Sequence, residues 1–311
     1  MKVTLKKKPL YESFDFDSYE EDGYFDTIIE SHRYKKFLEE NYKITGQVRP
    51  YKKDGMFFID IDGDVIVNEE IPSLTNGRFY FGKVKGNFNC SFCESLKSLE
   101  GSPKEAGGSF ICYNCTSLET LEGAPKKVGE SFNCGGCTSL TSLKGAPTEV
   151  GGYFDCGHCT SLETLEGAPL KVCSDFDCGY CTSLETLEGA PSKVGGRFDC
   201  EKCISLISLK GSPREVGGSF SCYSCKSLIS LGGSPKKVGA DFICNDCKSL
   251  TSLEGAPREV GGNFNCYGCH SLTSLGGAPE EVGGNFYCGK CTSLKLIDLP
   301  PTTKINGQIL K

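Results

Sequence analysis

"VGGNFNCYGCHSLTSLGGAPEE" (Val260–Glu281) runs without a gap into "VGGNFYCGKCTSLKLI" (Val282–Ile297). The Phe of this unit stands at Phe88, Phe110, Phe132, Phe154, Phe176, Phe198, Phe220, Phe242, Phe264 and Phe286, and every interval is 22 residues. A fixed period of this length marks a chain that grows by stacking, each unit completing its neighbour's core. Averaged, the unit reads V-G-G-x-F-x-C-x-x-C-x-S-L-x-S-L-x-G-A-P-x-x. Phe and the first Cys alternate with variable residues, the period of a strand with one buried face. The second Cys follows as the chain turns. Leu96, Leu118, Leu140 and their equivalents, with a Leu three further on, keep apolar contact round the corner. Gly-Ala/Ser-Pro supplies a bend, and Gly-Gly leads into the next strand. These features predict a β-rich repeat solenoid with one short parallel strand per 22-residue coil and almost no helix after residue 88. Ten coils at about 4.8 Å each make a rod of roughly 50 Å.

The totals set the class. The 311 residues carry a formal charge of -6, with 39 Gly, 21 Cys and no Trp. The net negative charge lies wholly beyond Asp54, because acids and bases balance before it. No basic footprint of a nucleic-acid binder is present. The lysines of "MKVTLKKKPL" have no apolar run behind them, so no signal peptide is read. No stretch approaches the roughly 18 apolar residues of a membrane span. The expectation is a soluble, cytoplasmic protein with reduced thiols.

Four segments follow from the period. Residues 1–56 form an N-terminal segment with a predicted helix in "DTIIESHRYKKFLEENYK" (26–43), opened by a Thr27-x-x-Glu30 capping box. This is the small α/β part of the predicted fold. His32 on it reads as a surface residue. "YESFDFDSYEEDGYF" (11–25) alternates aromatic and acidic residues, as an edge arm or as a segment that orders on a basic partner. Residues 57–87 read as a degenerate capping coil, with Val65 and Val67 in the inward strand slots and Ile71 and Leu74 following. Residues 88–299 hold the ten repeats. Residues 300–311 form a C-terminal cap with Ile305 and Ile309 in the apolar slots.

Ten Cys-x-x-Cys pairs invite a zinc reading, since four thiolates make a closed tetrahedral site. The register favours an apolar core ladder instead. The first Cys shares the buried parity of Phe, and free Cys behaves as a small hydrophobe. Disulfides between coils are allowed by distance but not by the expected compartment. Cys173 stands apart, replacing the first Gly of Gly-Gly at a surface turn.

The segment G-x-x-F-x-C-x-x-C-x-S-L fits the strand motif of leucine-rich repeats, with Phe and Cys in the leucine slots and Cys in the Asn/Cys slot. It resembles the Treponema-type (BspA-like) repeats, whose motif runs F-x-x-C-x-x-L-x-x-I. It is also similar to the "SLEGAPKEVGG" arrays of large tailed bacteriophages. The resemblance covers Phe88 to Leu299, and residues 58–84 resemble the degenerate first coil of those phage proteins. It implies a binding scaffold, and the phage likeness implies a viral protein engaging a host factor.

In such an array the variable outward positions carry specificity. Between Phe and the first Cys these are Asn89, Ile111, Asn133, Asp155, Asp177, Asp199, Ser221, Ile243, Asn265 and Tyr287. Three consecutive aspartates are unfavourable at one strand spacing. Since Asn, Ser, Ile and Tyr occupy the same slot elsewhere, nothing structural is expected to demand Asp. Asp175 and Glu201 adjoin the column, Arg197 is the one cation close by, and Tyr153, His158 and Tyr180 lie beside it. The three histidines stand with no nucleophile, so no catalytic constellation and no cofactor are read. The expected function is a non-enzymatic scaffold binding a basic protein partner through the exposed strand face. The alternative is a thiol-rich metal-binding or redox protein.

Overall fold

The computed structural model describes residues 35–75, 77 and 79–311. The expectations for 11–25, Thr27, Glu30 and His32 lie outside the described residues. Beyond residue 41 the described chain is a β-solenoid with no further helix.

Each coil carries two strands rather than the one expected. The first is the Phe-x pair, as in Phe154–Asp155, and the second is the pair before Gly-Gly, as in Glu149–Val150. In the second pair the charged residue points out and Val points in. Two residues are too few for alternation to register in sequence, so only the longer F-x-C run was legible. Between Gly-Ala/Ser-Pro and Gly-Gly the chain is just long enough to pair with its neighbours.

The Phe-x strands build a front sheet of 13 strands, opened by Tyr42–Ile44 and Val65–Val67 and closed by Ile309–Leu310. Coil lies on coil in strict register: Phe132 faces Phe154, which faces Phe176, and the slot beside them places Asp155 against Asp177. The back strands form two separate sheets, of six and seven strands, divided between Glu149–Val150 and Lys171–Val172.

Between the sheets every repeat buries Phe and both Cys, and the first nine bury two Leu, while the tenth has the half-buried Leu294 and Ile297; the back position is Val except for Ala106 and, at the end, Ile305. The ten Phe rings stack with centroids 5.0 to 5.6 Å apart. That spacing is the strand spacing of the backbone carried into the core. Burial of a Phe contributes about 1.5–3 kcal/mol, and in a solenoid it does so only when the coil above and below is present.

The N-terminal end reverses strand direction, whereas the C-terminal end does not. Residues 35–41 are helical and set Phe37 and the buried Leu38 against the first coil, with Phe37 edge-on to Tyr42 and Phe79. Tyr42–Ile44 runs antiparallel to Val65–Val67, and Val48–Lys53 antiparallel to Met56–Ile61. Val65, Val67, Ile71 and Leu74 are buried as the sequence implies. Arg49, Pro50, Lys52 and Lys53 line the outermost strand, and such residues discourage further pairing at an edge. At the other end Lys304–Ile305 and Ile309–Leu310 continue both ladders. No helix among the described residues is long and apolar enough to cross a membrane.

Candidate functional site

The turn after each front strand is strained in a uniform way. The residue before the second Cys has φ of 54–61° at Phe92, Asn114, His158, Tyr180, Lys202, Ser224, Asp246 and Lys290, with glycine at 136 and 268. Left-handed backbone disfavours residues with a Cβ. The turn forces it, because the second Cys must swing back under the first. Its thiol then donates to the carbonyl of the first Cys one coil earlier, as in Cys181 to Cys156 and Cys203 to Cys178, both at 3.2 Å. In four coils the first Cys donates forward, as in Cys178 to the Asp199 carbonyl and Cys200 to the Ser221 carbonyl.

The second cysteine of every pair, with Cys156, Cys178, Cys200 and Cys266 among the first, is thus a buried donor as well as apolar filler, and Cys173 alone is exposed. Burial, followed by contact with the thiol of the next coil, pushes the Cys178, Cys200, Cys222 and Cys244 thiols well up. They are held as thiols rather than thiolates. Among the described residues no three His, Cys, Asp or Glu side chains gather in a geometry to hold a metal.

The aspartate column differs from its sequence reading in two respects. First, Asp155 and Asp177 are half-buried and Asp199 is buried, with 6% exposure, so the column lies in the front face rather than standing off it. Second, each carboxylate has a structural task. Asp155 accepts the Gly157 N–H, Asp177 the Gly179 N–H and Asp199 the Glu201 N–H, at 2.8 to 2.9 Å. Asn89, Asn133 and Asn265 accept the same bond in their coils. The slot therefore favours Asx residues, because their oxygen closes the turn that the strained residue continues. Asn satisfies it as well as Asp, so the turn does not explain the charge.

Electrostatics make the charge costly. Burial raises the Asp155 carboxyl against the pull of the Gly157 N–H, and Asp177 adds to the rise. Burial pushes Asp199 up to about 6, although the Glu201 N–H and then Arg197 oppose it. Arg197 is ion-paired with Asp199 and, at 3.8 Å, with Glu201, while its own N–H reaches Asp175.

Beside the carboxylates runs a second column, made by the left-handed residues. His158 and Tyr180 stack with ring centres 4.2 Å apart. Lys202 donates to the Tyr180 hydroxyl at 2.5 Å and lies 4.5 Å from its ring centre. Tyr153 is exposed at the edge of the same region. The residues picked from sequence are thus brought together. Four contributors were missed: Lys202, Asn133, whose amide donates to Asp155, and the closely packed Gly157 and Gly179. Lys202 was legible, standing 22 residues after Tyr180. The glycines were not, since their role appears only when Asp carboxylates fold down beside them.

Comparison with family models, with curated proteins and with solved structures gives no match.

Proposed function

We propose that this chain is a non-enzymatic recognition scaffold, built on a leucine-rich-repeat-like coil, that docks a basic protein partner on its front face. The observation that supports this is the clustering of Asp155, Asp177 and Asp199 in a slot where Asn makes the same turn bond. Carboxylates kept at a cost, with Arg197 engaged on Asp199 and Glu201, suit a partner that brings its own cations. The His158–Tyr180 stack adds a flat aromatic edge beside them, fit to cover an arginine or lysine stem. The resemblance to phage arrays extends the reading to a viral protein acting on a host factor in the host cytoplasm.

The test is the triple variant Asp155→Asn, Asp177→Asn, Asp199→Asn, which keeps all three turn bonds. An immobilised arginine- and lysine-rich peptide should capture the wild type and lose the variant, with the difference shrinking as salt rises. Equal capture of a well-folded variant would falsify the docking role of the column.

A further inference from the structure

The divided back sheet has a cause that the repeat itself identifies. In the regular coils the residue after the back-strand Val, or after Ala106, is Gly107, Gly129, Gly151, Gly195, Gly217, Gly239, Gly261 and Gly283, and Cys173 fills the slot once. A Cβ built on any of these glycines would overlap the carbonyl oxygen of the residue one coil before, such as Gly129 for Gly151 and Gly195 for Gly217. Cys173 carries that Cβ, and it faces Gly151. The back ladder breaks at that point.

Three backbone bonds are missing there. At the following joint Ser192 donates to Leu170, Gly195 to Val172 and Gly196 to Ser174; at the preceding joint Thr148, Gly151 and Gly152 make the same three. Among the described residues the equivalents from Leu170, Cys173 and Ser174 are not made. Ser174 is not responsible, because Glu130 and Ala240 occupy its slot and keep the bond. Leu170 is not responsible either: its side chain stands out in solvent, and the bond from its slot is absent at Lys126 too, in a joint that stays paired. Lys85 and Asn306 occupy the Cys173 slot in the end coils and stay bonded, but those coils are one residue longer. Val150, on the near side of the break, is the most exposed of the repeat valines.

We infer that Cys173 is a built-in joint: its Cβ uncouples the back ladder between Val150 and Val172. The stacks on either side can then pivot about the front strand pair Phe154–Asp155 and Phe176–Asp177, which stays bonded. The joint does not depend on the docking role of the front face, although it lies across the solenoid from Asp155 and Asp177.

Amide hydrogen exchange on Cys173→Gly and Cys173→Ala separates the Cβ from the thiol. Glycine should restore the three bonds and slow exchange at 170, 173 and 174 by about tenfold or more, as for other amides drawn into a ladder. Alanine keeps the Cβ and should leave exchange fast. Spin labels at positions 126 and 236 should give a narrower distance distribution in Cys173→Gly than in Cys173→Ala. Gly217→Ala should add a second break at the next joint but one, exposing amides 214, 217 and 218. Unchanged exchange at 170, 173 and 174 in Cys173→Gly, or protection restored equally by alanine, overturns the assignment.

Discussion

Asp199 shows how one residue can be both a structural part and a liability. Its carboxylate closes a turn and meets Arg197, yet burial holds its proton to about 6. The folded pKa is raised above the ordinary 3.8, so its stabilising contribution is complete below about pH 4 and is lost as pH rises through 6. Asp199→Asn keeps the turn bond and removes the charge. It should therefore raise stability at pH 7.5 by up to about 3 kcal/mol, since each tenfold change in proton affinity is worth about 1.36 kcal/mol, and flatten the decline between pH 5 and 7.5. Thermal melts of both proteins at the two pH values check this, and parallel slopes would count against it. At the same scale, the thiol of each second Cys serves a carbonyl. Cys203→Val would leave the Cys178 carbonyl without its thiol donor, at a cost of about 1–2 kcal/mol in a denaturant titration. Cys203→Ser retains a donor and should cost less, an order that a purely apolar slot would reverse.

At the scale of the element, the left-handed turn residue decides what the repeat tolerates. Ser224 sits at φ 58°, where Gly136 and Gly268 stand in their own coils. Ser224→Gly should stabilise by about 1 kcal/mol by relieving the Cβ strain, read as a rise in the denaturation midpoint. Tyr180→Gly relieves the same strain but removes the stack on His158 and the acceptor of Lys202, so its gain should be smaller. Here the limits of the sequence are physical. The Phe-x-Cys strand, the buried Cys and Leu columns and the degenerate first coil were legible, because alternation and period survive in the letters. The second strand was not, because Glu149–Val150 and its equivalents are two residues long. Nor was the Asx task of Asp155, Asp177 and Asp199, because an acid and an amide look like drift until the bond from the residue two further on is seen. Cys173 was visible as a departure from Gly-Gly, but only the overlap of its Cβ with the coil before gives that departure a consequence.

For the whole molecule the decisive property is that contacts link neighbours and little else. Front and back strands pair only with the coils above and below, and each Phe stacks on the Phe 22 residues away. Stability in such a stack is close to a sum of coil and interface contributions. Removing one whole period should therefore shorten the rod without unmaking it. Deletion of residues 216–237 joins Glu215 to Val238, so the strand and the Gly239-Ala240 turn that leads to Phe242 return in register. The product should fold, keep the circular dichroism per residue of the parent and melt a few degrees lower. Removing 11 residues from the same place should behave differently, because it sets Phe and Cys against positions that face solvent and leaves the stack below without a cover. Loss of structure from that point onward is then expected, with the N-terminal coils retained. If the 22-residue deletion also unfolds the chain, its stability rests on longer-range cooperation than neighbouring coils can supply.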